Sequence, residues 1–170
     1  MVDPAIVAVE PFKFLGETIG FWIQTGAFFL SALGAIAVIY YNGKQARVSA
    51  LVGLLTQQQS NQDLIAASRL VNQLHDTGVV WAQHMNVDCE ERAAILKVIN
   101  NAEFIAVGVR LKAFDEQVYK EIHCSTVIRL WNSSCGFIHE LRNRTGKPTL
   151  FQDFERLATR WKKDPIKQIQ

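Results

Sequence analysis

The feature that most constrains this chain is an uncharged stretch near its N-terminus. Between Glu17 and Lys44 no residue is charged, and the apolar part of this window covers residues 19–41. A helix rises about 1.5 Å per residue, so about 20 residues cross a hydrocarbon core about 30 Å thick. Amphipathic aromatic rings, which suit the headgroup level, lie at both ends of the stretch. They are Phe21, Trp22, Tyr40 and Tyr41. The sequence therefore predicts a transmembrane helix over residues 19–41.

A buried core helix and a cleaved signal peptide both fit this stretch less well. A buried core helix is seldom apolar over so long a run. A cleaved signal peptide would account for Ala35-Ile36-Ala37, which is typical of a cleavage site. Signal peptides begin with positive charge, however, and here Asp3, Glu10 and Glu17 precede the stretch against Lys13 alone. The apolar run also continues past the cleavage-like sequence, so a retained anchor is the prediction.

The basic residues beside the stretch predict its orientation. Lys13 precedes it, whereas Lys44 and Arg47 follow it. Because lysine and arginine favour the cytoplasmic side, residues 1–18 are expected outside and residues 44–170 in the cytoplasm. The three cysteines are an odd number at unrelated spacings, which is typical of reduced cytoplasmic thiols rather than of a disulfide framework.

The segments before and after the predicted span differ in length and in their pattern of apolar residues. Residues 1–18 are too few for a domain and are expected to form a short extracytoplasmic segment at the membrane interface. Residues 44–170 carry apolar side chains at helical spacing, which predicts an all-α fold with a bundle of about four or five helices. Residues 44–76 are expected to form one long helix, or two joined by a bend at the glutamines of 57–62.

Capping residues predict where the later helices begin. Asp88, Asp115 and Thr149 are each expected to cap a helix, because their side-chain oxygens accept from free backbone N–H groups. The helix after Asp88 is expected to end near residues 113–114, and Asp164-Pro165 to end the last helix. The only β-like run, residues 79–81, is too short for a convincing strand.

A polar pair beside an apolar helix face predicts a structural contact. Asn100 and Glu103 lie three residues apart and share one face of a helix. Since an isolated buried charge is very costly, Glu103 needs a partner. We expect Arg142 on a neighbouring helix, and otherwise Arg110. The pair would act as a pin that fixes helix packing, because a lone carboxylate with no second acid or nucleophile defines no reaction.

Inside the span, small residues follow one another at a spacing of four. Ala27, Ser31 and Ala35 form a stripe that would let a second helix approach closely. Small residues are also common in membrane helices without any partner. The basic residues near the C-terminus, from Arg160 to Lys167, are expected to be a solvated helix end, or otherwise to contact anionic lipid.

Sites for metals, cofactors and nucleic acids are not predicted. Cys135 and His139 share a helix face, and His123 precedes Cys124, but zinc sites normally use closely spaced pairs and four ligands. Cysteines among apolar residues usually behave as small hydrophobic side chains. A net charge of +2 is typical neither of a nucleic-acid binder nor of a strongly acidic chain. No cofactor and no small-molecule substrate are therefore expected.

Several short sequences in the C-terminal half resemble a known family. They are the run from Asn100 to Arg110, then Phe114-Asp115-Glu116, Trp131, Phe137-Ile138 with Arg142, and Phe154-Glu155-Arg156-Leu157 with Trp161. In this order they resemble the bacterial domain-of-unknown-function family numbered 4760. The resemblance implies a compact helical domain, often behind an N-terminal membrane helix, and a bacterial origin. It implies no catalytic residues.

These observations favour a non-enzymatic function at a bacterial inner membrane. The expected protein is a single-pass membrane protein that contacts lipid and tethers or assembles protein partners through its helical domain. It would act as an accessory subunit or as a homo-oligomer. The alternative is a membrane effector in bacterial stress or phage defence and exclusion. A membrane-bound enzyme would require a pocket with strongly perturbed titratable groups.

Overall fold

The computed structural model describes residues 13–14, 16–85 and 90–166. Across these residues it contains one short hairpin, five α-helices and a 3-10 helix. The chain divides into two compact units, Met1–Gly43 and Lys44–Gln170. The all-α fold class is confirmed, with a long apolar helix first and shorter helices after it.

The first unit contains a hairpin that the sequence did not predict. Strands β1 (Lys13–Phe14) and β2 (Glu17–Thr18) pair antiparallel, with Phe14 opposite Glu17. Gly16 has a φ of +86° in this turn, a conformation that glycine adopts at little cost. The indole N–H of Trp22 donates to the Phe14 carbonyl oxygen at 2.9 Å. Two-residue strands are too short to show an alternating pattern, and tertiary contact with the helix decides this conformation.

The first helix, α1, runs from Ile19 to Ser60. It therefore includes the predicted span and continues beyond it without a break. Helix α2 (Gln62–Asp76) begins directly afterwards, and the Asn61 side chain caps it by accepting from the Leu64 N–H at 3.1 Å. The prediction that residues 44–76 form two helices joined by a bend is thus correct, and the bend lies at the end of the glutamine run.

The later elements follow the predicted order. The β-like residues 79–81 lead into a 3-10 helix, Trp81–Met85. Helix α3 spans Glu90–Arg110 and helix α4 spans Glu116–Thr145. Asp115 caps α4 as predicted and accepts from the Val118 N–H at 3.1 Å. The predicted cap Asp88 and the thiol of Cys89 lie outside the described residues.

Helix α3 ends three residues before the predicted position, in a compact turn. Lys112 has a φ of +58°, and its N–H donates to the Val109 carbonyl oxygen at 3.0 Å. The Ala113 N–H donates to the Gly108 carbonyl oxygen at 2.9 Å. This is the Schellman pattern, which satisfies the last carbonyl groups of a helix. Gly108 is also required by packing, because a Cβ there would lie 2.3 Å from the Phe114 ring.

The last helix, α5 (Gln152–Lys163), begins differently from the prediction. The residue before it is Phe151, which has a φ of +57° and makes no side-chain capping bond. Thr149 instead accepts from the Gln152 N–H through its backbone oxygen, so the predicted Thr149 cap is wrong. Asp164 follows the last turn, as predicted. The N–H groups at the start of α5 are satisfied by a side chain of α3.

The core of the second unit is formed by apolar side chains from the last part of α1 and from α2, α3, α4 and α5. The apolar stripe of α5, formed by Phe154, Leu157, Ala158 and Trp161, is buried throughout, and Trp161 is 1% exposed. Helix α4 packs against α2, α5 and the 3-10 helix, as expected for a helix with apolar residues around much of its circumference. The largest fully buried apolar side chains include Leu51, Val71, Ile95, Ile99, Phe137, Ile138, Phe154 and Trp161.

Candidate functional site: an apolar helix, a capping carboxylate and a lined cavity

The first part of α1 presents an apolar surface that the first unit does not cover. An 18-residue window of this helix has a mean hydropathy of 1.7 and none of it is buried. Ile23, Leu30 and Ile39 expose about seven-tenths of their side chains. Among the described residues it is the one helix long and apolar enough to cross a membrane. A contiguous apolar surface of this size is typical of contact with lipid or with another protein.

The predicted small-residue stripe lies on this surface. Ala27, Ser31 and Ala35 are exposed on α1, and their spacing places them on one face of the helix. The bulkier Phe28, Phe29 and Leu33 stand beside them and are also exposed. The role of the stripe in helix packing remains a prediction.

Glu103 connects two helices, but through a contact other than the predicted one. Its Oε2 accepts from the Phe154 N–H at 2.7 Å and its Oε1 from the Asp153 N–H at 3.3 Å. These are the second and third residues of α5, the positions that a capping side chain normally satisfies. The negative charge also lies at the positive end of the helix dipole. Glu103 of α3 therefore caps α5 across the bundle.

The two arginines proposed as partners of Glu103 pair elsewhere. Arg142 forms an ion pair with Glu155 at 2.8 Å and donates twice to the Leu150 carbonyl oxygen, at 2.6 and 2.8 Å. Arg110 pairs with the buried Asp153 at 3.0 Å. The predicted pairing of Glu103 with an arginine is wrong because the uncapped N–H groups of α5 occupy its carboxylate. The arginines instead neutralise the acidic residues in the first turn of α5.

Asn100 does not take part in this contact. Its side chain is exposed on α3, so the predicted pin of Asn100 with Glu103 is wrong for Asn100. The next residue, Asn101, makes the contact between helices: the Gln58 side-chain amide donates to its Oδ1 at 2.9 Å. Neighbouring residues of an α-helix project about 100° apart around its axis, so Asn101 is partly buried whereas Asn100 is exposed.

A cavity of about 370 Å³ lies between the end of α1, α2, α3 and α4. Its lining is mostly apolar, with polar groups from α2 and α4 among the apolar ones. The α4 side of the lining is a single face with helical spacing. Its residues are Tyr119, His123, Thr126, Val127 and Leu130. This cavity was not predicted from the sequence, although the polar His123 and Thr126 interrupt an otherwise apolar face of α4.

Two titratable groups in this lining are perturbed by burial. Burial raises the pKa of the Tyr119 hydroxyl above its ordinary value of 10.0 and lowers the pKa of the His123 imidazole below 6.5. The two rings contact each other with their centres 5.2 Å apart. The Nε2 atom of His123 is buried and has no hydrogen-bond partner among the described residues. Both shifts favour the neutral side chains at pH 7.

Metal-ligating side chains are not clustered in the part of the chain that the structure describes. No group of three or more histidine, cysteine or acidic residues there could hold a metal ion. Cys124 is buried, as its apolar neighbours indicated. Cys135 is partly exposed and its thiol donates to the Asn132 carbonyl oxygen at 3.4 Å.

Comparison with known proteins supports the resemblance found in the sequence. No curated protein and no solved structure matches the chain. The family model described as a domain of unknown function, DUF4760, matches residues 23–161. The match begins within the apolar part of α1 and ends at Trp161 of α5, so it includes the capping carboxylate and the cavity. The chain belongs to the DUF4760 family.

Proposed function

We propose that this protein is anchored in a bacterial inner membrane by the first part of α1. On this proposal the unit Lys44–Gln170 is a cytoplasmic module that holds protein partners at the membrane. The observation that carries the proposal is the uncovered apolar surface of α1, with a mean hydropathy of 1.7 and no buried residue in its 18-residue window. Exposure of such a surface to water is unfavourable by about 25 cal/mol per Å² of apolar area.

The orientation is supported by charge. Lys44 and Arg47 follow the apolar part of α1, and positively charged residues are retained preferentially in the cytoplasm. Epitope tags at the two ends would test this orientation. Protease added to spheroplasts should remove the N-terminal tag and spare the C-terminal tag, and inverted vesicles should give the reverse. Removal of the C-terminal tag from spheroplasts would contradict the proposed topology.

An interaction role is supported by apolar side chains exposed on the second unit as well as in the span. Phe104 is 58% exposed and Leu111 is 63% exposed on α3 and directly after it. These positions are seven residues apart, which places them on one side of the helix. Large apolar side chains grouped on one face are more typical of a protein contact than of a solvated surface.

Cross-linking in native membranes, followed by affinity purification and mass spectrometry, would identify the partner. A single stoichiometric partner would support an accessory subunit. Recovery of the chain cross-linked only to itself would support a homo-oligomer. In that case Ser31→Leu should weaken the self-cross-link by blocking close helix approach, whereas Ala37→Leu, about 120° around α1 from Ser31, should not. Failure to recover any cross-linked protein would contradict the interaction role.

A further inference from the structure

Two adjoining cavities in the second unit share part of their lining. The larger, of about 370 Å³, has residues from α1 to α4 around it, and the smaller, of about 220 Å³, lies between α2 and α4. Ser68, Asn72, Thr126 and Leu130 line both. Small-molecule sites are typically clefts of about 300–1,000 Å³ with a mostly apolar lining and a few polar groups. The pair of cavities has this size and this composition.

The two cavities differ in the residues that line them. Apolar side chains from α1, α2, α3 and α4 line the larger one, among them Leu64, Val98 and Ile105. Five of the six residues that line the smaller one have polar side chains, including Ser125 and Arg129, although most of the surface that they present to it is apolar. A ligand that filled both would need an apolar part and a polar end.

Two arginines indicate the charge of that polar end. Arg69 of α2 lines the larger cavity and Arg129 of α4 lines the smaller one. Neither guanidinium forms an ion pair with a carboxylate of the described residues. Other arginines of this unit, such as Arg110 and Arg142, are paired with acidic residues. Arginine stays charged at all physiological pH values and its planar fork matches a carboxylate or a phosphate.

His123 also lines the larger cavity. Its Nε2 atom is buried and has no hydrogen-bond partner among the described residues. A buried polar atom without a partner is unfavourable, so this side of the lining is not packed as tightly as a closed core.

We infer that these two cavities form one binding site for a small amphipathic anion. An apolar chain lies in the larger cavity, and its carboxylate or phosphate end is bound by Arg69 and Arg129. This site does not depend on the proposed membrane topology or on the proposed partners.

The test uses the full chain in discs of zwitterionic phospholipid and an octanoate probe that carries a diazirine in its chain. After illumination, mass spectrometry should locate saturable labelling on peptides of α2, α3 and α4. Unlabelled octanoate or octyl phosphate should compete. Arg69→Ala and Arg129→Ala should each weaken the apparent affinity about tenfold, since hydrogen bonds to charged groups are lost. Both arginines are exposed, so these variants leave the core intact.

Controls separate this site from unspecific attraction. Lys162→Ala removes one positive charge from α5, outside the lining, and should leave the labelling unchanged. Added anionic phospholipid should reduce the labelling if a lipid headgroup is the natural occupant. It should leave the labelling unchanged if the ligand is a free amphiphile. Either result supports the site, provided that the labelling depends on the two arginines. Labelling confined to residues 19–41, equal loss in Lys162→Ala, or equal competition by inorganic phosphate alone would overturn the inference.

Discussion

The carboxylate of Glu103 on α3 accepts from the backbone N–H of Phe154 on α5 at 2.7 Å. This contact joins residues that are 51 positions apart in the chain. It substitutes for the local cap that α5 lacks, because Phe151 precedes the helix in a left-handed conformation without a capping bond. The start of α5 is therefore determined by the packing of α3 against it.

Removal of this cap should destabilise the second unit. Glu103→Ala is expected to lower the free energy of unfolding by about 1–2 kcal/mol, the usual cost of losing an N-cap side chain. Glu103→Gln keeps an acceptor and should cost less. Asn100→Ala, on the exposed side of the same helix, should change stability by less than about 0.5 kcal/mol. Urea unfolding followed by tryptophan fluorescence would measure all three, and equal losses in Asn100→Ala and Glu103→Ala would contradict the assignment.

Gly108 should tolerate no side chain. In Gly108→Ala the new Cβ would meet the Phe114 ring at 2.3 Å, so the ring or the turn that carries it must shift. We expect a loss of about 1–3 kcal/mol, as for other overpacked sites. The matched control is Gly53→Ala in α1, where nothing lies within 4 Å and alanine should be neutral or slightly stabilising.

A second substitution would show whether contact with the Phe114 ring causes the loss of stability in Gly108→Ala. If it is, Phe114→Leu combined with Gly108→Ala should be less destabilising than the sum of the two single changes. Thermal unfolding of the four chains would measure this coupling. Strict additivity would show that the two residues do not interact.

The stability of the protein should depend on pH partly through His123. Burial lowers the pKa of its imidazole below the ordinary value of 6.5, so the unfolded chain binds a proton more readily than the folded chain. Stability from this group is therefore present above pH 6.5 and is lost as the pH falls toward the folded pKa. The free energies of unfolding at pH 7.5 and pH 5.5 would measure the loss.

The His123→Gln variant isolates this contribution. His75, His84 and His139 are the same in both chains, so the difference between wild type and variant reports His123. The difference in the free energy of unfolding between pH 7.5 and pH 5.5 should be smaller in the variant. An unchanged difference would show that this imidazole does not contribute to the pH dependence.

Membrane insertion should be sensitive to charge in the first part of α1. Leu33→Arg places a charge near the middle of the apolar stretch, where it is unfavourable by about 2.5–3.5 kcal/mol on insertion scales. The fraction of chain that resists alkaline extraction from membranes should fall. Val52→Arg, an exposed position of the same helix beyond the apolar stretch, is the control and should remain membrane-bound. Equal extraction of both variants would count against a span at residues 19–41.

The start and end of a helix could be predicted where they depend on residues that are close together in the chain. A cap such as Asp115 acts on residues three positions away, and the bend after the glutamines coincides with the cap Asn61. The ends were less predictable where a tertiary contact intervenes. The Schellman turn at Lys112 uses a residue that rarely adopts a positive φ, and Phe114 packs against Gly108 there.

The sequence by itself determined the apolar stretch, the all-α class, the order of the helices and the family, because charge, helical periodicity and capping act over a few residues. Only the tertiary structure decided the partners of Glu103, Arg142 and Arg110, since several carboxylates, guanidinium groups and free N–H groups compete and distance selects among them. The cavity beside His123 was also decided by the tertiary structure. A cavity between helices depends on how closely the side chains of several helices pack against one another, and the sequence of one helix does not specify this packing.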